Sequence, residues 1–350
     1  MKPPKGRGKQ TAAGLSRRQP RAKVTLDKGA ARQLERRRAR AALGSLHENQ
    51  VAPTTLGRYQ AAAKRFFLWV LLESIALPRG EADFDDVACQ YVEHCWQEGE
   101  PQGSARDALA GLQFLVKRLR GQLTGSWSLM KAWQMKELPA RAPPIILLWL
   151  HAVVGYFLRQ GELHLAVACY TGFHTLCRMT ELFSMRCGEL CFSPTATWLS
   201  INLGFTKGGS RRGVQDTAIV DAPWLATALK LISLNRPPGD LLFQCSAGHF
   251  RKAFQRAVNA IGLRRMALQP YSLKRGGATA LFRQLGQYDP VVQRGHWASV
   301  ATARIYINDG LAMHAEMRHP PQLQAKLQPF ASLALKKFES SNMWPTGGIS

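Results

Sequence analysis

Five short stretches of the chain carry residue types that could act together on a phosphate ester. They are Arg178-Met179-Thr180-Glu181-Leu182, Thr206-Lys207-Gly208-Gly209, Tyr271-Ser272-Leu273-Lys274-Arg275-Gly276-Gly277-Ala278-Thr279, Gly295-His296-Trp297 and Thr302-Ala303-Arg304-Ile305-Tyr306. Displacement at phosphorus needs cationic clamps for the developing negative charge, a proton donor for the leaving oxygen, and a nucleophile. Arg178, Lys274 and Arg275 supply cations, Lys207 and His296 can move protons, Tyr271 adds a hydrogen-bond donor, and Tyr306 is a phenolic nucleophile.

Each piece has an ordinary structural reading beside the chemical one. Arg178 falls in an apolar run that reads as a helix, where Glu181, three residues on, could simply pair with it. Lys207 is expected at the tip of a hairpin, where it could reach a phosphate or be one more exposed turn lysine. Lys274 and Arg275 precede two glycines at an expected helix start, which favours an anion. Those glycines would admit either a phosphate or a neighbouring backbone. A lone His-Trp pair and a lone helical tyrosine are usually packing. What weakens these readings is the occurrence of all five pieces in order within about 130 residues of a basic protein.

The elements that must position these residues can be sketched from composition and period. The chain has 350 residues, 46% of them apolar, enough for one large or two ordinary domains. A formal charge of +24 points to a polyanionic partner, with nucleic acid the default. The most apolar window, 145–158, falls short of the ~20 residues a membrane helix needs and contains His151, so no membrane partner is expected. Seven cysteines show no paired metal-ligand spacing and read as free thiols.

Residues 1–45 form a basic stretch expected to be a disordered tail, with at most a transient helix at 30–43, suited to a nuclear address or a DNA-binding arm. Residues 50–137 show helical periods from Pro53 and at 84–98, 104–120 and 127–136, a small α-helical domain. Arg58, Lys64 and Arg65 on its first helix are candidate DNA contacts, as are Arg211 and Arg212 in the hairpin turn. The Pro-rich stretch 138–144 reads as a linker. The region 145–340 is mainly α, with strands at 198–205 and 214–220 and helices at 223–233, 246–261, 275–285, 289–294, 299–307 and 323–338. Residues 341–350 read as a second disordered tail.

In the order and types of its five motifs the chain resembles the tyrosine recombinases, the phage-integrase-like proteins also found in eukaryotic mobile elements. The resemblance spans about 50–320. It implies an α-helical core-binding domain joined to a mainly α catalytic domain with a small β-hairpin sheet, in a C-shaped clamp on duplex DNA. By position Arg178 matches the first arginine, Lys207 the hairpin lysine, His296 the later His/Trp position and Tyr306 the nucleophile. Tyr271 stands where the family has histidine, and Lys274 where it has its second arginine, with Arg275 next to it.

The resemblance implies attack by Tyr306 on a backbone phosphate, giving a 3′-phosphotyrosyl link and a free 5′-hydroxyl. It implies no metal or other cofactor, a homodimer or homotetramer on DNA, assembly through the helix at 323–338, and a role in DNA recombination or integration; the nucleus is expected from the basic tail and the DNA substrate. Lysine lacks the planar fork of arginine, and tyrosine cannot act as an imidazole acid or base. A decayed recombinase that still binds DNA is therefore the alternative. An RNA-associated basic protein is a third reading, for which no aromatic stacking motif speaks.

Overall fold

The computed structural model describes residues 22–43, 46, 50–138, 141–204, 206, 209, 213–317 and 320–338. It divides into two compact units, Met1–Pro139 and Ala140–Ser350, and the division falls inside the Pro-rich stretch expected to be a linker.

In the first unit, helix α1 spans Ala22–Leu43, longer than the transient helix expected within the basic stretch. Alanine, leucine, arginine and lysine have high helix propensity, which accounts for a helix without a buried face. Its described side chains, 29–41, are all exposed. Residues 1–21 lie outside the described residues. Helices α2 (Pro53–Leu72), α3 (Glu81–Gln97), α4 (Gln102–Leu115) and α5 (Thr124–Lys136) form the small helical domain read from the sequence. Pro53 opens α2, where its missing N–H costs nothing. Phe66, Val70, Tyr91, Leu109, Leu112 and Trp133 build the core. Asp85 accepts from Gly125 N at 2.7 Å and Ser126 N at 3.0 Å, and so caps α5.

The second unit is built around α6 (Leu147–Arg159) and α7 (Leu163–Thr175), whose apolar residues are buried nearly all round. The last described helix, Pro321–Phe338, crosses α6 so closely that a Cβ on Gly155 would lie 1.9 Å from Phe330 O. It buries Leu327, Ala331, Ala334 and Phe338 in its own unit's core. The apolar face expected to serve assembly is thus already covered.

A three-stranded antiparallel sheet runs β1 (Leu190–Phe192), β2 (Leu199–Gly204), β3 (Asp216–Val220), with Leu199 opposite Val220 and Ile201 opposite Ala218. The two expected strands are β2 and β3; β1, only three residues long, carries too little alternation to be seen in the sequence. Helices α8 (Met179–Leu182), α9 (Pro223–Ser233), α10 (Ala247–Ala260), α11 (Tyr271–Leu285), α12 (Asp289–Arg294), α13 (Val300–Arg304) and α14 (Asp309–Met317) complete the unit. Among the described residues no helix is long and apolar enough to cross a membrane. Residues 341–350, expected to be a tail, lie outside the described residues.

Candidate active site

Arg178 is not inside a helix, as its apolar surroundings suggest. Helix α7 stops at Thr175, Leu176 adopts a left-handed conformation (φ 54°), and Arg178 becomes the N-cap of the one-turn helix α8. Glu181 holds it from two sides: Oε2 accepts the Arg178 backbone N–H at 2.7 Å, and Oε1 accepts Nη1 at 2.5 Å. Burial works against the guanidinium charge. The Glu181 carboxylate and the nearby Tyr306 and Tyr271 phenols outweigh it and hold the group above its ordinary pKa.

Helix α11 begins at Tyr271, four residues earlier than expected, so Tyr271, Lys274 and Arg275 all fall in its opening turns. The glycines that follow serve packing. A Cβ on Gly276 would lie 2.2 Å from Ile145 O, and one on Gly277 would lie 2.0 Å from Phe173 O. Of the two uses of glycine left open by the sequence, close approach of a neighbouring backbone is the one found. This packing seats the first turn of α11 beside the Phe173–Arg178 segment.

Lys274 is only 1% exposed. Its Nζ donates to Gly295 O at 3.2 Å and lies 4.7 Å from the centre of the Trp297 ring and 5.6 Å from that of Tyr306. Burial pushes its pKa down to about 8. Arg275, one residue on, points about 100° away around the helix. Its Nη1 donates to Ile305 O at 3.0 Å, while its Nε is buried without a protein partner. Burial, reinforced by Arg141, lowers the Arg275 pKa. The two adjacent cations thus clasp one segment differently: Lys274 lies over the aromatic rings, and Arg275 holds the carbonyl that precedes Tyr306.

Tyr306 lies just beyond α13 rather than within a helix running to 307, with its N–H donating to Ala303 O at 2.8 Å. Its ring centre is 4.5 Å from that of Trp297 and 5.6 Å from that of Tyr271. Burial, together with the Tyr306 phenol, raises the Tyr271 pKa, so Tyr271 stays protonated. His296 follows α12 in a left-handed conformation (φ 53°), which turns its ring toward β3. Its Nε2 donates to Thr217 O at 3.2 Å, and burial lowers its pKa despite Asp216 nearby.

A further cluster joins these pieces. Asp221, directly after β3, accepts from Arg294 Nη2 at 2.6 Å and Nη1 at 3.1 Å, and from His174 Nε2 at 2.8 Å. Desolvation opposes its charge, but His174 and Arg294 hold its pKa well below the usual carboxylate range. Sequence reasoning missed all three residues. The available signal was a histidine within the apolar run of α7 and an arginine directly before Gly295-His296-Trp297.

The structure therefore brings Arg178, Tyr271, Lys274, Arg275, His296 and Tyr306 into one neighbourhood. Lys207, Arg211 and Arg212 lie outside the described residues. Among the described residues on either side, Thr206 bonds Asp216, and Val214 N–H donates to Gly209 O at 3.0 Å. In the other unit Arg58 pairs with Asp107 at 3.2 Å, and Lys64 and Arg65 are exposed on α2.

No protein-family model matches the chain, and no curated protein matches it. Solved structures do. XerH site-specific recombinase bound to palindromic difH substrate, in a post-cleavage complex, aligns with a TM-score of 0.53 at 16% identity over 75% of this chain and 78% of that one. A lambda integrase dimer bound to a COC′ core site aligns with a TM-score of 0.52 at 14% identity, covering 75% of this chain and 92% of that one. Both are tyrosine recombinases, and the chain shares their fold: mainly α, with one small antiparallel sheet.

Proposed function

We propose that this chain breaks and rejoins duplex DNA through a 3′-phosphotyrosyl link at Tyr306, as a recombinase or integrase. The carrying observation is the enclosure of the Tyr306 ring by Trp297, Tyr271 and Lys274, with Arg275 bonded to the preceding carbonyl. In this reading the Tyr306 oxygen attacks phosphorus as its phenol proton passes to His296, the bond to the 5′ oxygen breaks, and Lys207 delivers the proton that makes it a hydroxyl. Arg178 donates to the equatorial oxygens, its charge oriented by Glu181. Lys274 and Arg275 add positive charge to the same pocket, and His296, its Nε2–H held by Thr217 O, keeps Nδ1 free to take up a proton. The link conserves the phosphodiester energy, so a second 5′-hydroxyl can reverse the step on another strand.

Support for duplex DNA as partner comes from the net charge of +24 and from the DNA-bound state of the two fold relatives. The dimeric state of lambda integrase supports assembly on DNA as a homodimer or homotetramer. The basic stretch at 1–45 supports a nuclear location, and a mobile-element origin belongs to the same proposal.

One observation favours a second reading. Lys274, where an arginine fork is expected, is enclosed by rings and bonded to Gly295 O, an arrangement that suits packing as well as phosphate binding. In that reading the chain binds DNA without cutting it. A nicked suicide duplex separates the two: wild type forms a covalent adduct and Tyr306→Phe does not. Tight binding without an adduct on cognate DNA leaves the binding-only reading.

A further inference from the structure

Three segments meet in the candidate site, and each leads to a different functional residue. The last turn of α7 leads through Leu176 to Arg178, β3 carries the Thr217 carbonyl that holds His296, and α12 leads into Gly295-His296-Trp297. One carboxylate touches all three. Asp221 accepts from His174 on α7 and from Arg294 on α12, and itself directly follows Val220, the last residue of β3. His174 is fully buried, and the Arg294 side chain is 17% exposed. The Arg294–Asp221 contact is a two-point fork, which fixes angle as well as distance.

The consequence runs through Gly295. Its carbonyl accepts from Lys274 Nζ, and the Trp297 ring lies against both Lys274 and Tyr306. A rotation of α12 would therefore displace His296, the Lys274 acceptor and the wall of the Tyr306 pocket together.

We infer that Asp221 is a positioning residue, which with Arg294 and His174 locks the Gly295-His296-Trp297 segment against β3 and α7 and so preassembles the site. Asp221 contacts no reacting atom and acts through the groups it holds. The effect on chemistry rests on the proposed strand-cleavage function, whereas the effect on Trp297 does not. Misplacement of a catalytic group by about 1 Å can cost about 10²-fold in rate, while phosphate contacts elsewhere still bind DNA.

The test uses the full chain labelled with 5-fluorotryptophan, with the Trp297 resonance assigned by Trp297→Phe. Asp221→Asn should shift or broaden the Trp297 ¹⁹F signal and leave that of Trp149 in place. Adduct formation on saturating suicide DNA should slow 10- to 100-fold, with the DNA Kd changed less than twofold. Arg294→Lys keeps the charge and loses the fork; it should give a smaller change of the same kind, and it replaces Asp221→Asn if that variant does not fold. An unmoved Trp297 signal in the folded variants overturns the inference, as does an adduct rate within twofold of wild type. If wild type forms no adduct on any DNA, the strand-cleavage proposal fails and the ¹⁹F signal alone decides the positioning role.

Discussion

Replacing Lys274 by methionine tests the electrostatics of the pocket through stability alone. The lysine is 1% exposed, and burial lowers its pKa from 10.5 to about 8. At 1.36 kcal/mol per pH unit, burying the charged form costs about 3 kcal/mol. The contacts with the Trp297 and Tyr306 rings favour the charged form, returning about 1–2 kcal/mol at a desolvated site. Burial wins, so methionine, of similar length and without charge, should be the more stable by about 1–2 kcal/mol at pH 7. The folded pKa lies below the unfolded one, so the cost is fully present below pH 8. It is relieved as pH rises toward 10.5, because the folded state sheds the proton while the unfolded state keeps it. Urea unfolding of both proteins from pH 7 to 10.5 should show the methionine advantage shrinking toward zero. A gap independent of pH, or a methionine variant weaker than wild type at pH 7, would refute this account of the buried cation.

Four further outcomes follow from the same geometry. If charged Lys274 assists the transition state, single-turnover adduct formation should fall about tenfold per pH unit above about 8, read on suicide DNA. Arg178→Ala should slow cleavage about 10²–10³-fold while leaving the DNA Kd nearly unchanged; a collapse of the melting temperature would instead make the Arg178–Glu181 pair purely structural. Gly277→Ala should destabilise by about 1–3 kcal/mol in urea unfolding, because the new Cβ meets the Phe173 carbonyl at 2.0 Å and a backbone cannot easily move aside. Lys64→Gln with Arg65→Gln should reduce the slope of log K against log salt by about 2 if both side chains contact phosphates, as a filter-binding series would measure.

The candidate site was legible in the sequence to the extent that its chemistry depends on residue type. Arginine, lysine, histidine and tyrosine in a fixed order could be recognised without knowing where the helices end. The helical first unit was equally legible, because Phe66, Val70 and their neighbours repeat at helical period. Local backbone was harder to read. Nothing in the Phe173–Leu182 run announces the break at Leu176, since a left-handed turn there is taken by leucine and not by glycine or asparagine. The roles of Gly276 and Gly277 needed the opposing carbonyls of Ile145 and Phe173, and Phe173 is about 100 positions away. The Asp221–His174–Arg294 cluster was invisible for the same reason: its members are up to 120 residues apart and share no motif. Burial of Lys274 was also hidden, because adjacent basic residues at a helix start usually face solvent.

Whether the Tyr306 phenol is the nucleophile in a cationic pocket is decided by locating the attached nucleotide after reaction with nicked suicide DNA and trypsin. A 3′-phosphotyrosyl nucleotide is expected on the peptide spanning 305–318, which carries Tyr306. A nucleotide on the peptide spanning 266–274, which carries Tyr271, would contradict it, as would no modified peptide from a protein that binds the same DNA tightly.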